Sequence, residues 1–385
     1  TNSITNIMLI LERDPLLAHK IAFNEFTYEI ELLDDLEPLM IEKGPLEDDI
    51  YPALLGYIEQ KYDTLFSEKL LNGAITNVAR KNVFNPVLDY FEDCLKKWDH
   101  KKRAADFLPT FLGAEKNEVT TLETKIFFTG AVTKAYKPAS KFDYVLDLVG
   151  GQGSGKTTLL KKVSNGWYTD NFNEFDNKDD YQNMLRCLIV NDDEMTATNN
   201  SSFEILKKFV SSQVLEFRKA YGRNTIRRYK NFVMARTTNQ KFYLKDKTGE
   251  RRFLPVKVNK DYQKKSPLTE LTQEYIDQLW GEFTSYYQEG FNFILTEKQE
   301  KMLQDLRDNF TYVDTVEEAV SELLIETDRS FLTSHDIAFK LGESNIINNP
   351  KLSRKIKYIM DNNSNWTYTR KRVNGSLKRG YQKKL

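Results

Sequence analysis

The nine residues GGQGSGKTT, 150 to 158, constrain this chain more than any other stretch. They fit the pattern G-x-x-x-x-G-K-[ST], with Gly150, Gly155, Lys156 and Thr157 at its fixed positions. YVLDLVG (144 to 150) ahead of them is apolar enough for a central strand, and TTLLKKV behind them has helical spacing. A strand, a glycine turn and a helix in that order make a unit of an α/β fold with a parallel sheet. Glycines let backbone N–H groups wrap an anion at a helix N-terminus. Lys156 would then reach the β- and γ-phosphates and Thr157 would hold Mg²⁺, with Gly151, Gly153, Ser154 and Thr158 completing the cradle. ATP and Mg²⁺ are the expected cofactors.

Two further apolar runs, CLIVND (187 to 192) and NFVMART (231 to 237), are expected to join the same sheet. The first ends in Asp192, Asp193 and Glu194. Asp193 is assigned to the Mg²⁺ shell and Glu194 to activating the attacking water, with Asp192 leaving the register open by one position. The other run ends in Asn239, whose amide would orient that water, although asparagine is also a common turn residue. Asn191 and Arg236 interrupt these otherwise apolar runs.

At 385 residues the chain is expected to form two or three domains. Residues 1 to 100 read as helical, from segments such as LLAHKIAFNEF, IYPALLGYIEQKY and NPVLDYFEDCLKKW. Residues 101 to 312 hold the α/β unit with a helical end. Residues 313 to 385 read as three helices followed by a hairpin turning at Asn374-Gly375, which describes a winged helix. A lid packed on the α/β unit is the alternative for that last part.

The formal net charge of zero hides segregation. Residues 29 to 49 carry nine carboxylates against Lys43, and residues 351 to 385 carry eleven Lys or Arg against Asp361. The basic end suggests a polyanion partner, DNA. Ser353, Arg354 and Lys357 would reach base edges, while Arg370, Lys371, Arg372, Lys378 and Arg379 would touch the backbone. A second basic stretch, EFRKAYGRNTIRRYK (216 to 230), places six cations around a Tyr-Gly-Arg-Asn turn. Arg218, Lys219, Arg223 and Lys230 are candidate phosphate contacts and Tyr221 a base-stacking ring, with a solvated basic hairpin as the alternative.

Two cysteines and three scattered histidines are too few for a zinc site or a disulfide framework. No apolar run is long enough to span a bilayer, no signal peptide opens the chain, and a cytoplasmic location is expected. The chain opens Thr1-Asn2 rather than with methionine, so a further upstream domain remains open.

Taken together, WDHKKRAADFLPTFLGA (98 to 114), GGQGSGKTT, VNDDE, VLEFRKAYGR (214 to 223), TTNQ and TGERRFLPV (248 to 256) resemble the AAA+ ATPases. Within these the resemblance is to superfamily 3 helicases of the virulence-associated protein E family and to the replication initiator helicases of staphylococcal pathogenicity islands. It covers about 80 to 300 well, the first 80 residues loosely, and the last 75 by domain type. It implies an AAA+ core, a homo-oligomeric ring of six subunits, and ATP sandwiched between neighbours. It implies that the basic hairpin grips one DNA strand in the channel, and that Arg251 or Arg252 serves as a finger on the neighbouring subunit's nucleotide. The activity implied is ATP-dependent DNA unwinding at the origin of a mobile element. Two other readings stay open: an ATP-switched DNA-binding module without unwinding, and a small-molecule kinase. The kinase reading explains neither the arginine pair nor the basic end.

Overall fold

The computed structural model describes residues 2–218, 225–244, 250–312, 315–361, 363, 365–373 and 375–384. The chain forms two compact units, Thr1–Lys241 with Thr248–Asp308, and Phe242–Lys247 with Asn309–Leu385.

The first unit opens with α1 (Ile4–Arg13), β1 (Ile21–Asn24), β2 (Glu29–Leu32), β3 (Gly44–Pro45), α2 (Ile50–Tyr62), α3 (Glu68–Lys81) and β4 (Val83–Phe84). The strands make one sheet in the order β3-β2-β1-β4. The short strands are an addition to the mainly helical reading of residues 1 to 100. LLAHKIAFNEF straddles a turn and a strand: His19 takes a left-handed φ of 63° and β1 begins two residues later. Strands of four residues are too short for periodicity to separate them from helix. Ile7 and Leu11 of α1 share a local core with Leu71, Ile75 and Val78 of α3.

The expected boundary at residue 100 also moves. α4 (Pro86–Lys96) begins as anticipated, with the Asn85 side chain accepting from Leu88 N–H and proline in the first turn. Its apolar face, however, joins the central core, where Phe91 packs on Trp280 with ring centroids 4.9 Å apart. An amphipathic pattern shows that a helix has a buried face, not which core receives it.

The centre of the unit is α5 (Ala104–Leu112), α6 (Glu118–Tyr136), β5 (Val145–Val149), α7 (Lys156–Val163), β6 (Tyr168–Thr169), α8 (Tyr181–Met184), β7 (Ile189–Asp192), α9 (Thr196–Asn200), α10 (Phe203–Ser211), β8 (Val214–Phe217), β9 (Ile226–Tyr229), β10 (Val233–Thr238), β11 (Phe253–Lys257), α11 (Gln273–Gln288) and α12 (Glu297–Asp308). Five of these strands form a parallel sheet in the order β11-β5-β10-β7-β6. Every residue of β5, β7 and β10 is buried, as expected for strands covered on both faces. β8 and β9 pair as a separate antiparallel hairpin immediately before β10.

The two polar residues that interrupt the strands are accommodated. Arg236 lies opposite Asp147 in the β10–β5 register and makes two hydrogen bonds to its carboxylate, at 2.7 and 2.6 Å, while stacking on Phe253 at 4.1 Å. Such a bidentate, fully buried pair keeps both charges satisfied. Asn191 donates to the Tyr168 hydroxyl at 2.9 Å and to Asp193 at 3.2 Å.

The second unit contains α13 (Thr315–Glu326), β12 (Phe331–Leu332), α14 (Ser334–Lys340), α15 (Pro350–Asp361), β13 (Trp366–Val373) and β14 (Ser376–Lys383). Three helices and an antiparallel sheet of order β12-β14-β13 enclose a core of Ile337, Ile356, Met360, Trp366 and Tyr381. Pairing of Val373 with Ser376 fixes a two-residue turn in which Gly375 has φ 80°. Asn374 lies outside the described residues.

Candidate functional site

Parallel strands all end on one edge of their sheet, so β5, β7 and β10 deliver their following residues to a common place. Gly150 leaves β5 with its N–H donated to Thr238 O at 3.0 Å. A Cβ on Gly150 would lie 2.2 Å from Val258 O, and one on Gly155, whose φ is 80°, would lie 2.3 Å from Pro267 Cγ. Only glycine fits at either position. α7 then starts at Lys156, so the loop ends at a helix N-terminus.

Lys156 is buried in this loop. Its Nζ donates to Gly150 O at 2.8 Å, Gly151 O at 3.0 Å and Asn239 Oδ1 at 3.2 Å. Burial holds its pKa below the ordinary lysine value, against the opposing pull of Glu194 and Asp193. Ser154 Oγ donates to Gly151 O at 2.9 Å and steadies the turn.

Asp193 is the hub of the acidic strand end. Its Oδ1 accepts from Thr157 Oγ1 at 2.6 Å and from Thr237 Oγ1 at 2.8 Å. Asp192 points elsewhere: its carboxylate accepts from Ala197 N–H at 2.8 Å and from Thr198 N–H and hydroxyl at 2.9 and 2.6 Å. It therefore satisfies N–H groups in the first turn of α9, and Asp193 is the carboxylate that meets Thr157. Glu194, at φ 52°, is exposed, and its N–H donates to Thr237 Oγ1 at 2.9 Å.

A cleft of about 490 Å³ opens over the loop, lined by residues 152 to 158, Glu194 and a return segment holding Lys260, Gln263 and Pro267. Gln263 donates to Ser154 O, and Lys162 clamps the segment through Leu268 O at 2.6 Å. Lys260, Gln263 and Pro267 carry no motif; only the fold brings them here.

Arg251 and Arg252 occupy the opposite edge of the sheet. They precede β11, where Phe253 pairs with Val145 and Lys257 with Val149. Roughly 13 Å of strand separates them from the level at which the glycine loop begins. Arg251 is exposed, whereas Arg252 Nε lies 3.5 Å from Asp143 Oδ2, both side chains being mostly buried. Arg252 thus cannot contact a ligand in its own chain's loop.

Of the hairpin candidates, Arg218 is exposed, and Lys219, Tyr221 and Arg223 lie outside the described residues. Lys230 has to be reassigned. It is only 6% exposed, and its Nζ donates to Phe209 O at 2.7 Å and Val210 O at 3.1 Å, satisfying the carbonyl end of α10. Burial lowers its pKa to about 7, and no phosphate can reach it. In the second unit Arg354 and Lys357 are exposed on α15, as are Arg370, Lys371, Arg372, Lys378 and Arg379 on the hairpin, while Ser353 is half-buried. Arg370 lies directly opposite Arg379 and Lys371 opposite Lys378.

Among the described residues no helix is long and apolar enough to cross a membrane, and no group of three or more His, Cys, Asp or Glu is placed to hold a metal ion.

The family model of the virulence-associated protein E-like domain matches residues 91–312. Solved structures similar to the chain include the A form apo structure of the NrS-1 C-terminal region, 305–718, at 13% identity over 100% of both chains with a TM-score of 0.45. A second A form apo structure of that region aligns at 12% identity over 94% and 96% of the two chains, with a TM-score of 0.44. No curated protein matches the chain.

Proposed function

The chain belongs to the virulence-associated protein E-like domain family, and from that premise we propose that it is an ATP-driven DNA helicase that initiates replication of a mobile element. In this reading the first unit is an AAA+ core of the superfamily 3 type, working in the cytoplasm as a homo-hexameric ring. The observation that carries it is the convergence of Lys156, Thr157, Asp193 and Asn239 at one sheet edge, with Thr157 Oγ1 2.6 Å from Asp193 and Lys156 Nζ 3.2 Å from Asn239.

The residues present fit ATP and Mg²⁺. The glycine loop has no room for side chains at Gly150 and Gly155, and its lysine sits among the loop carbonyls. Thr157 and Asp193 give the hard oxygen pair that Mg²⁺ takes alongside phosphate oxygens. ATP with its metal supplies the transferable phosphoryl group and the charge that neutralises it. The chain's part is positioning. Loop N–H groups and Lys156 bind phosphate oxygens, Glu194 takes a proton from the attacking water, and the Asn239 amide orients that water. Arg251 is exposed at the sheet edge opposite its own loop, which supports its acting on the site of an adjacent subunit.

Two basic surfaces support DNA as the partner. The β8–β9 hairpin stands immediately before β10, as in a channel loop that grips one strand. The second unit has the element order of a winged helix, with Arg354 and Lys357 on its third helix. Its opposed cation pairs, Arg370 with Arg379 and Lys371 with Lys378, repel in the free protein, and a phosphate backbone relieves that repulsion.

The test is unwinding of a forked duplex with ATP and Mg²⁺. The chain is expected to separate the strands, and Lys156→Ala and Asp193→Asn to abolish separation while leaving duplex binding. ATP hydrolysis and origin binding without strand separation would instead favour the ATP-switched module.

A further inference from the structure

The root of the basic β8–β9 hairpin is held by a turn of the N-terminal sheet. Lys230 and Asn231 lead from β9 into β10, the strand that ends just before Asn239. Asn231 is buried, and its Nδ2 donates to Phe26 O at 2.8 Å and to Leu185 O at 2.9 Å. Phe26 belongs to the turn between β1 and β2, and two residues further on Tyr28 meets β9 itself. The Arg228 guanidinium lies 3.6 Å from the centroid of the Tyr28 ring.

The turn is built to present that ring. Asn24 Oδ1 accepts from the N–H groups of Phe26 at 2.9 Å and Thr27 at 3.2 Å, and Tyr28 N–H donates to Asn24 O at 2.8 Å. Tyr28 takes a left-handed φ of 60°, and its ring meets that of Phe23 in β1 edge-on with centroids 5.7 Å apart. Glycine would adopt this backbone at less cost, so what tyrosine adds at the position is its ring. Tyr28 is 47% exposed, so burial accounts for little of that gain.

Side chains alternate along β9. Arg227 and Tyr229 are exposed, whereas Ile226 and Arg228 are half-buried on the other face. Between this strand and the turn lies a cavity of about 550 Å³, with Phe26, Tyr28, Leu88, Phe217 and Arg228 in its lining. Close packing is interrupted there, so point contacts decide where β9 stands. Stacking on Tyr28 occupies Arg228 and leaves Arg218 and Arg227 as the exposed cations among the described residues of the hairpin.

We propose, resting on the reading of this hairpin as the strand-gripping loop, that Tyr28 is a positioning residue for strand capture. By stacking on Arg228 it braces the hairpin so that Arg218 and Arg227 meet the phosphates of single-stranded DNA. The N-terminal sheet thereby takes part in the DNA step, through the same turn that holds Asn231 ahead of β10. Tyr28 lines no part of the cleft over the glycine loop, so hydrolysis without DNA does not depend on it.

The experiment is an anisotropy titration of a fluorescent oligothymidylate with the full chain, alongside ATP hydrolysis with and without that oligonucleotide. Tyr28→Leu should weaken binding at least about threefold and raise by a similar factor the oligonucleotide concentration that half-maximally stimulates hydrolysis, with DNA-free hydrolysis unchanged. Tyr28→Phe keeps the ring face and should bind within about twofold of wild type. In an Arg228→Met chain, Tyr28→Leu should add no further loss, because the ring then has no cation to hold. Wild-type binding by Tyr28→Leu, a Tyr28→Phe chain as weak as Tyr28→Leu, or an equal loss with and without Arg228 would overturn the proposal. A parallel fall in DNA-free hydrolysis would mark a merely structural role and overturn it as well. The chain carrying both Arg218→Ala and Arg227→Ala separates the two levels of failure: if it binds like wild type, the hairpin reading falls and the brace falls with it.

Discussion

If Arg251 completes the site of an adjacent subunit, removing its side chain separates catalysis from folding. Arg251 is exposed at the sheet edge opposite its own glycine loop. Arg251→Ala should therefore change stability by no more than about 0.5 kcal/mol, as for ordinary surface positions. A trans arginine is typically worth about 10³ to 10⁵ in turnover, or roughly 4 to 7 kcal/mol of barrier. ATP binding, read by a fluorescent analogue, should persist while steady-state hydrolysis falls by that factor. Mixing gives the sharper test. In rings assembled from equal amounts of Arg251→Ala and Glu194→Gln chains, about a quarter of interfaces pair an intact Glu194 with an intact neighbouring arginine, because head-to-tail interfaces join different surfaces. Two inactive preparations should then recover up to about a quarter of wild-type turnover. Normal hydrolysis by Arg251→Ala rings, or a mixture as dead as its components, would refute the trans assignment. Arg252→Ala should behave differently. It leaves the mostly buried Asp143 without its cation, so a stability loss of about 1 kcal/mol is expected alongside a smaller loss of turnover.

Two further outcomes follow from buried cations. Lys230 has its folded-state pKa lowered from 10.5 to about 7 by burial, so its contribution to stability is present at high pH and is lost as pH falls from about 10.5 through about 7. Lys230→Met should flatten the denaturation midpoint across that window and leave the salt dependence of DNA binding unchanged, whereas Arg218→Ala should reduce the salt slope. Arg236→Met strands the Asp147 carboxylate in the sheet and should cost about 3–5 kcal/mol by chemical denaturation. The double substitution Arg236→Met with Asp147→Leu should recover most of it, because two charges then leave the core together.

The sequence by itself determined the local chemistry. A glycine-rich turn between an apolar run and a helical run reads as strand, loop and helix, because glycine takes the left-handed φ found at Gly153 and Gly155 with the least steric cost. Continuous apolar runs marked β5, β7 and β10, and helix caps such as Asn85-Pro86 sit where their side chains read. Tertiary structure decided everything that depends on which distant surfaces meet. It gave Asp192 to the N-terminus of α9 and Asp193 to Thr157, a distinction that three consecutive acids cannot express. It buried Lys230, one residue past the end of β9, under α10 while Arg227 of the same basic run stays exposed, because the carbonyls of Phe209 and Val210 accept from it there and a charge count does not record that. It handed α4 to the central core, separated Arg251 from Arg252, and stacked Arg228 on the ring of the distant Tyr28. Periodicity and capping are properties of a few consecutive residues, whereas burial and partnership are properties of the packed whole.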